Sequence, residues 1–377
     1  MFAVNETTPL MLIYDDSEPS SSTPFYEAMN PKVTPNDIQN SVKEDNGNRK
    51  YRVHEMVYMI CNNAKTMSNY NKTIVTEFII IGFKNLHQVR TLLFIFLLLT
   101  YIAIFIGNFF IVTLVPFFTH LHTPMYFFLG NLSLSDILIT TNLIPNMLHI
   151  IWTEEGSMPI TDCIVQFYIF GSLTATECLL LTVMSYDRYL AICSPLRYSS
   201  IMTIPHCRYL IVFSWLLGFT PTLPVAICLS KLLFCNLNSI DHFFCDLAPF
   251  LELACSDITL VKFVSFILSF LVTVFPFFII LTSYAFIIYT IVRMQSEKGR
   301  QKAFSTCSSH LTVVFMYYGT LFILYGVPSQ KHSLEINKLL SLLYTIVTPL
   351  LNPVIYSLKN KDFAEAAEKM FKKTFKK

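Results

Sequence analysis

The sequence predicts an all-α membrane protein: a seven-transmembrane helix bundle with a short amphipathic helix at the C-terminus. Three observations carry that expectation. Only 14% of the 377 residues are charged and 53% are hydrophobic, whereas a soluble domain averages about 25% charged residues. The mean hydropathy is +0.52. Apolar runs of about 20 residues or more, the length that spans a bilayer, recur along the chain, and basic residues gather on alternate connections between them.

The runs lie near Leu92–Phe117, Pro124–Ile151, Cys163–Ser185, Arg208–Leu229, Leu260–Val292, His310–Val327 and Leu339–Leu358. Several contain Pro or Gly, which membrane helices tolerate because neighbouring helices re-satisfy the backbone. Arg188, Arg197 and Arg208 follow the third run, and Arg293, Lys298, Arg300 and Lys302 follow the fifth. Lys359, Lys361, Lys369, Lys372, Lys373, Lys376 and Lys377 fill the tail, while the second-to-third connection has Glu154, Glu155 and Asp162 but neither Lys nor Arg. Positive charge stays inside, so the odd-numbered connections and the C-terminus are expected in the cytoplasm and the N-terminus outside, in a multi-pass protein of the plasma membrane.

Residues 1–90 read as an extracellular tail. They lack a signal-peptide core, so the first run is expected to act as an uncleaved anchor. Residues 1–66 are polar and hold Pro19, Pro24, Pro31, Pro35 and a Ser run, a composition that predicts disorder. Asn71-Lys72-Thr73 and Asn5-Glu6-Thr7 are N-glycosylation sequons on the outer side, whereas Asn131-Leu132-Ser133 falls inside a span and is expected to stay unmodified. Residues 91–358 form the membrane domain. In residues 359–377, Phe363, Ala367, Met370, Phe371 and Phe375 recur at helical spacing opposite lysines, a pattern for a helix lying on an anionic inner leaflet. Cys163, Cys235, Cys245 and Cys255 fall between runs, on a side that can be oxidising. Cys178, Cys193, Cys228 and Cys307 fall within runs or at their ends, and read as buried thiols.

The chemistry lies in the ionisable residues of the apolar runs. A charge at bilayer depth costs roughly 2.5–3.5 kcal/mol on insertion scales, so each is a functional candidate. Asp187 and Arg188 are adjacent opposite charges at the end of the third run. Arg188 can pair with Asp187 or extend along the membrane boundary, which is what a switch needs. Glu177 precedes Arg188 by eleven residues, about three helical turns, and so shares its face. Asp136, Glu177 and Asn352 are a candidate site for a sodium ion, oxygen ligands suiting a hard cation; the alternative is a hydrogen-bonded network with one carboxyl group protonated. His310 reads either as a packed neutral histidine or as a latch to the third helix. Pro353 removes a helical hydrogen bond in the seventh run.

Ordered motifs then place the chain. They are Gly107-Asn108, L-H-T-P-M-Y-F-F-L at 121–129, M-S-Y-D-R-Y-L-A-I-C at 184–193, Ser283-Tyr284, K-A-F-S-T-C-S-S-H-L at 302–311 and P-L-L-N-P-V-I-Y-S-L-K-N at 349–360. Together they resemble the odorant (olfactory) receptor family of rhodopsin-like, class A G-protein-coupled receptors, from about Met67 to Lys361. Members usually have short N-terminal tails, so residues 1–66 are either a genuine extension or lie upstream of a natural start at Met67, the reading we favour.

The resemblance implies disulfides Cys163–Cys245 and Cys235–Cys255. It implies a ligand cavity in the outer half of the bundle, for a small and mostly hydrophobic odorant. By helical phase and similarity its walls are Phe170, Gly171, Thr174 and Ala175 from the third span, and Leu268, Ser269 and Val272 from the fifth. Tyr318, Leu321, Phe322 and Tyr325 come from the sixth, and Leu342 and Thr345 from the seventh. Tyr318 stands where rhodopsin-like receptors often carry Trp and would link the ligand to helix motion. No acidic residue lies on the outer third-span face, which argues against an amine ligand. The implied switch joins Asp187, Arg188 and Tyr189 to Tyr284, Lys302, His310, Asn352, Pro353 and Tyr356. Its implied partner is a heterotrimeric G protein of stimulatory or olfactory type, raising cyclic AMP, with its α-subunit terminus docked as a helix in a groove.

No catalytic residue, nucleic-acid partner or cofactor other than the candidate sodium ion is expected. A transporter or channel is the competing class, since intramembrane carboxyl groups also mark ion paths, but the sequence lacks repeated half-structures. An intramembrane enzyme is weaker, because neither H-E-x-x-H nor G-x-S-x-G occurs.

Overall fold

The computed structural model describes residues 75–82, 89–235, 238–326, 334–359, 365–366 and 368–369. Long helices dominate them: α1 (Arg90–Phe117), α2 (Pro124–Thr153), α3 (Ile160–Cys193), α5 (Ile204–Leu229), α7 (Thr259–Ser269), α8 (Phe275–Arg293), α9 (Glu297–Gly326) and α10 (Leu334–Lys359). The π-helical turn Phe270–Val274 joins α7 to α8 into one rod. The short helices α4 (Pro195–Ile201) and α6 (Leu247–Leu253) lie between rods, as do the strands β1 (Glu77–Ile80), β2 (Gly156–Pro159) and β3 (Ser239–Ile240).

Five of the described rods are long and apolar enough to cross a membrane: α1, α2, α3, α5 and the joined α7–α8. α9 and α10 are of similar length, 30 and 26 residues, and within α10 the stretch Thr345–Ile355 is apolar. The helices overrun the apolar windows at their ends, α3 by three residues before Cys163 and eight after Ser185. Backbone hydrogen bonding, unlike hydropathy, does not stop at the edge of lipid.

Large apolar side chains face outward, among them Phe96, Leu99, Phe109, Phe263 and Phe278. Polar ones face inward, with Asn108, Asp136, Ser172, Glu177, Asp187, His310 and Asn352 all buried. This inversion suits helices surrounded by hydrocarbon, where polar groups find partners only in each other.

Two glycines and a proline set the closest helix approaches. A Cβ on Gly107 of α1 would come within 3.2 Å of the Pro353 ring of α10. Pro353 has no N–H, which frees the carbonyl of Pro349 one turn earlier. The neighbouring Asn108 supplies the missing donor, its Nδ2 reaching Pro349 O at 2.9 Å and Ile104 O at 3.1 Å. Gly218 lets α5 lie against α3, since a Cβ there would collide with Thr176 Oγ1 and stand 3.0 Å from Ser172 O. Ser172 and Thr222 then bond across that contact at 2.6 Å.

One end of the bundle carries a three-stranded sheet. β1 runs antiparallel to β2, Glu77 opposite Pro159, and parallel to β3, Ile80 opposite Ile240. Phe78 and Ile80 are buried, and Phe78 packs edge-on against Phe234 and Phe250 at 5.1 and 5.6 Å. Residues 77–82 are therefore not tail but part of the cover over this end. Disulfides join Cys163 to Cys245 and Cys235 to Cys255. Cys178, Cys193, Cys207 and Cys307 are free. Cys228, expected as a buried thiol, is instead disulfide-bonded.

Residues 1–66 and the sequons at Asn5 and Asn71 lie outside the described residues. So does most of the C-terminal amphipathic segment, of which Glu365 and Lys369 form an exposed i,i+4 pair at 3.3 Å. Asn131 of the third sequon is tied inside the bundle, accepting from Trp215 Nε1 at 3.1 Å.

Asn108→Ala orphans the Pro349 carbonyl in a dry contact, at a cost of about 1–3 kcal/mol. The purified protein in detergent should melt several degrees lower, and an unchanged melting temperature would refute this account of Gly107-Asn108.

Candidate functional site

α3 passes through the centre of the bundle and carries a chain of polar contacts along its length. At the end away from the sheet, Asp187 is fully buried and Arg188 nearly so. Arg188 Nε donates to Asp187 Oδ2 at 2.8 Å, and Arg188 Nη2 donates to the same oxygen. Asp187 Oδ1 accepts from the hydroxyl of Tyr198 at 2.8 Å. Tyr198 sits on α4, and burial plus the Asp187 carboxylate hold its phenol above the usual tyrosine range, so it stays a donor at physiological pH. This contact was missed from sequence: Tyr198 stands eleven residues beyond Asp187, in a segment with no apolar periodicity. Tyr189 packs edge-on against Phe286 of α8 at 6.1 Å.

Two turns along α3, the carbonyl of Leu181 accepts from His310 Nε2 at 3.1 Å, and His310 Nδ1 lies 2.6 Å from the Tyr284 hydroxyl. The carbonyl can only accept, so Nε2 carries a proton. His310 joins α9 to α3 and α8. The side chains of Lys302 and Tyr356 lie outside the described residues.

Further along, Asn352 Nδ2 donates to Asp136 Oδ2 at 2.9 Å, linking α10 to α2. Asp136 Oδ1 and Glu177 Oε1 are buried with no hydrogen-bond partner, and the two carboxyl groups interact electrostatically. Both cannot ionise in a dry site without compensation. Among the described residues no cluster of three or more His, Cys, Asp or Glu offers a metal site, so any cation here would rest on two carboxyl groups and an amide.

Above this level Tyr317 spans α9 to α3, its hydroxyl donating to Thr174 O at 2.8 Å and taking Cys178 Sγ at 3.4 Å. Sequence reasoning singled out its neighbour Tyr318, whose ring lies 4.7 Å from that of Phe277. Phe170, Tyr318, Leu321 and Leu342 belong to one buried apolar cluster with Phe243 and Phe244. Ala175, Val272, Pro353 and Thr345 are buried, and Thr174, Leu268 and Ser269 half-buried. Thr174 Oγ1 has no hydrogen-bond partner.

Two expected wall residues lie elsewhere. Phe322 is 66% exposed on the outer surface of α9. Gly171 faces α5, where an added Cβ would stand 3.0 Å from Thr222. Helical phase and family similarity placed both on the wall, but the face of a helix that meets its neighbours depends on which helices flank it. The side chain of Tyr325 lies outside the described residues.

The segment after β3 closes the sheet end. Phe244 packs on Phe170 with ring centroids 5.2 Å apart, and His242 packs edge-on against Phe244 at 4.6 Å. Gln166 Oε1 accepts from the backbone N–H of Cys245 at 3.0 Å, beside the disulfide to Cys163. Asn142 and Gln166 exchange side-chain-to-carbonyl bonds of 3.1 and 3.2 Å, fastening α2 to α3 beneath. Lys338 of α10 is 1% exposed and pairs with Asp241. Beyond Phe170 and the Cys163–Cys245 pair, none of these covering residues was predicted, though a lone lysine at the head of the last apolar run was the visible signal.

The sequence is similar to those of known proteins. The olfactory receptor family profile matches residues 97–374. The human olfactory receptor 11L1 is 46% identical over 307 residues, covering 81% of this chain and 95% of the relative. The human olfactory receptor 11A1 is 46% identical over 304 residues, 81% and 96% of the two chains. The mouse olfactory receptor 5P55 is 43% identical over 309 residues, 82% of this chain and all of the relative.

His242 gives the cover a pH dependence. Burial, reinforced by the Lys338 ammonium, pushes its pKa from 6.5 down to about 4. Between those values the unfolded chain binds a proton that the folded protein does not, so stability rises with pH across the window. On acidification through it, about 3 kcal/mol should be lost. Melting temperature against pH should fall from 6.5 toward 4, and His242→Phe should flatten the slope; an equal slope in the variant would rule His242 out.

Proposed function

The chain belongs to the olfactory receptor family, and from that membership we propose that it is an odorant receptor of the plasma membrane that activates a heterotrimeric G protein. In this reading seven helical rods cross the bilayer, α7 and α8 counting as one. The sheet end faces outside and the Arg188 end faces the cytoplasm. The ligand is a small, mostly hydrophobic odorant held beneath Phe244, against Phe170, Thr174, Ala175, Val272, Tyr318, Leu321, Leu342 and Thr345. Apolar walls with a few hydroxyls suit a molecule with one polar group. The G protein is of stimulatory or olfactory type and raises cyclic AMP.

The observation that carries the reading is the set of contacts spaced along α3, from Phe170 through Thr174–Tyr317 and Leu181–His310–Tyr284 to Asp187–Arg188. A shift of α9 at Tyr317 and Tyr318 would strain the His310 bonds and open the end that holds Arg188. Such coupling needs an element with two arrangements, and Arg188 has them: paired to Asp187 at rest, released toward a G-protein terminus when α9 moves out. Asp136, Glu177 and Asn352 are the proposed sodium site, which would stabilise the resting arrangement.

The deciding test is a cyclic AMP assay in cells expressing the full chain, screened against an odorant panel. Odorant-gated current without a G protein would overturn the proposal in favour of a channel. Arg188→Ala should abolish odorant-evoked cyclic AMP while surface expression persists. Tyr198→Phe frees one Asp187 oxygen and should raise basal cyclic AMP; a basal level equal to wild type would remove Tyr198 from the switch. Glu177→Gln should change basal signalling or its sodium sensitivity, and a basal signal indifferent to both would dispose of the ion.

A further inference from the structure

The segment that follows β3 carries a histidine whose bonding requires it to be uncharged. His242 is 9% exposed. Its Nδ1 accepts the backbone N–H of Phe244 at 3.4 Å. A backbone amide can only donate, so Nδ1 holds a lone pair and no proton. The ring stands edge-on to Phe244 at 4.6 Å and to Phe243 at 5.8 Å, and both phenylalanines are buried. Phe244 in turn packs on Phe170 of α3 at 5.2 Å. The imidazole therefore supports, through one ring, the contact that closes the head of α3.

A proton on Nδ1 would set N–H against N–H at the Phe244 amide. It would also bury a charge that its present neighbours do not compensate. Among the described residues, the charged groups acting on the ring are the Lys338 ammonium of α10 and the Asp241 carboxylate of its own segment. Lys338 is 1% exposed and repels a second cation; Asp241 is 34% exposed and attracts one from a more solvated position. Desolvation comes first and the ammonium second in opposing protonation, and the carboxylate does not offset them. Asp246, four residues further on, accepts from the N–H of Leu247 at 2.7 Å, and desolvation raises its carboxyl above the usual range. Its protonation favours the folded segment, so it works against an acid release and cannot mimic one.

We propose that His242 is a proton-operated latch: uncharged, it holds Phe244 on Phe170, and protonated, it releases the Asp241–Phe244 segment while β3 and the Cys163–Cys245 bridge stay in place. The sign follows from linkage. Released into water, the imidazole has its ordinary pKa of 6.5; latched, it has one of about 4. The latch contributes fully above 6.5 and is lost as the pH falls through the window toward 4. Between pH 7 and pH 5 the ratio of released to latched segment should rise about twentyfold. What the latch retains rests on the odorant-receptor reading: once Phe244 lifts, an odorant held against Phe170 loses its cover and binds more weakly. The latch itself does not rest on that reading.

Hydrogen–deuterium exchange on the full-length protein in lipid nanodiscs reads the release without odorant or G protein. Exchange of the backbone amides of residues 239–247, divided by the intrinsic amide rate at each pH, gives the released fraction. In the wild type that fraction should rise about twentyfold from pH 7 to pH 5. His242→Asn keeps a side-chain acceptor but takes up no proton in this range, and should hold the fraction constant. If His242→Asn fails to fold, His242→Phe decides in its place, filling the site with a ring that does not titrate. An equal rise in the wild type and the variant would overturn the proposal, and so would a wild-type fraction indifferent to pH. A rise spread equally over β1 and the helix ends would overturn it too, since that is general loosening. In cells, panel odorants that raise cyclic AMP should lose potency at external pH 5 in the wild type and keep it in the variant. Equal loss in both would remove the latch from odorant retention. Release as expected with no odorant-evoked cyclic AMP at either pH would keep the latch and reject the receptor reading.

Discussion

Buried polar groups in this bundle find partners within the protein, on their own helix or on a neighbouring one, because the apolar exterior leaves no water to serve them. That requirement decides the packing. Asn352 binds Asp136 and ties α10 to α2. Asn108 binds Pro349 O and ties α1 to α10. Trp215 binds Asn131 and ties α5 to α2. Association between apolar helices in lipid gains little from hydrophobicity, so small residues and interhelical hydrogen bonds specify the contacts instead. Gly107 and Gly218 supply the first, and the paired side chains supply the second.

The same requirement explains what the sequence made visible. A buried carboxyl group or histidine in an apolar run is conspicuous, and Asp136, Glu177, Asp187 and His310 could be singled out before any partner was known. The five spans found among the described residues, and their order, could be read from apolar length. What stayed hidden depends on contacts between distant segments. Tyr198 lies in a seven-residue helix with no buried residue of its own. β1 pairs with strands about 80 and 160 residues away, and its four residues, only two of them fully buried, give too short an alternation to stand out from a tail. Gly171 and Phe322 were misplaced because phase gives a face but not a neighbour. Lys338 drew no reading from sequence, since nothing local pairs it with Asp241.

The two ends of the bundle are built from different bonds. The sheet end has two disulfides among the described residues, a three-stranded sheet and the Phe78 anchor. The Arg188 end is held by side-chain hydrogen bonds and one ion pair. A perturbation near Phe170 meets a framework at one end that cannot rearrange without breaking covalent or ladder bonds. Under the proposed function it would be passed toward the end where single hydrogen bonds can be exchanged.

Within that end, the partners of Asp187 show how exchange can be graded. Its two oxygens are divided between Arg188 on its own helix and Tyr198 on α4. The Arg188 bond is charge-assisted and carries most of the restraint, since such bonds are roughly twice as strong as neutral ones. The Tyr198 bond is neutral and fixes the carboxylate's orientation. Loss of Tyr198 leaves Asp187 free to turn but still paired, whereas release of Arg188 leaves a fully buried anion with one neutral donor. The second state is tolerable only if another cation or a docked partner approaches, or water enters as α9 withdraws. Under the proposed switch, release of Arg188 would therefore have to accompany the opening of a cleft, because Asp187 is fully buried.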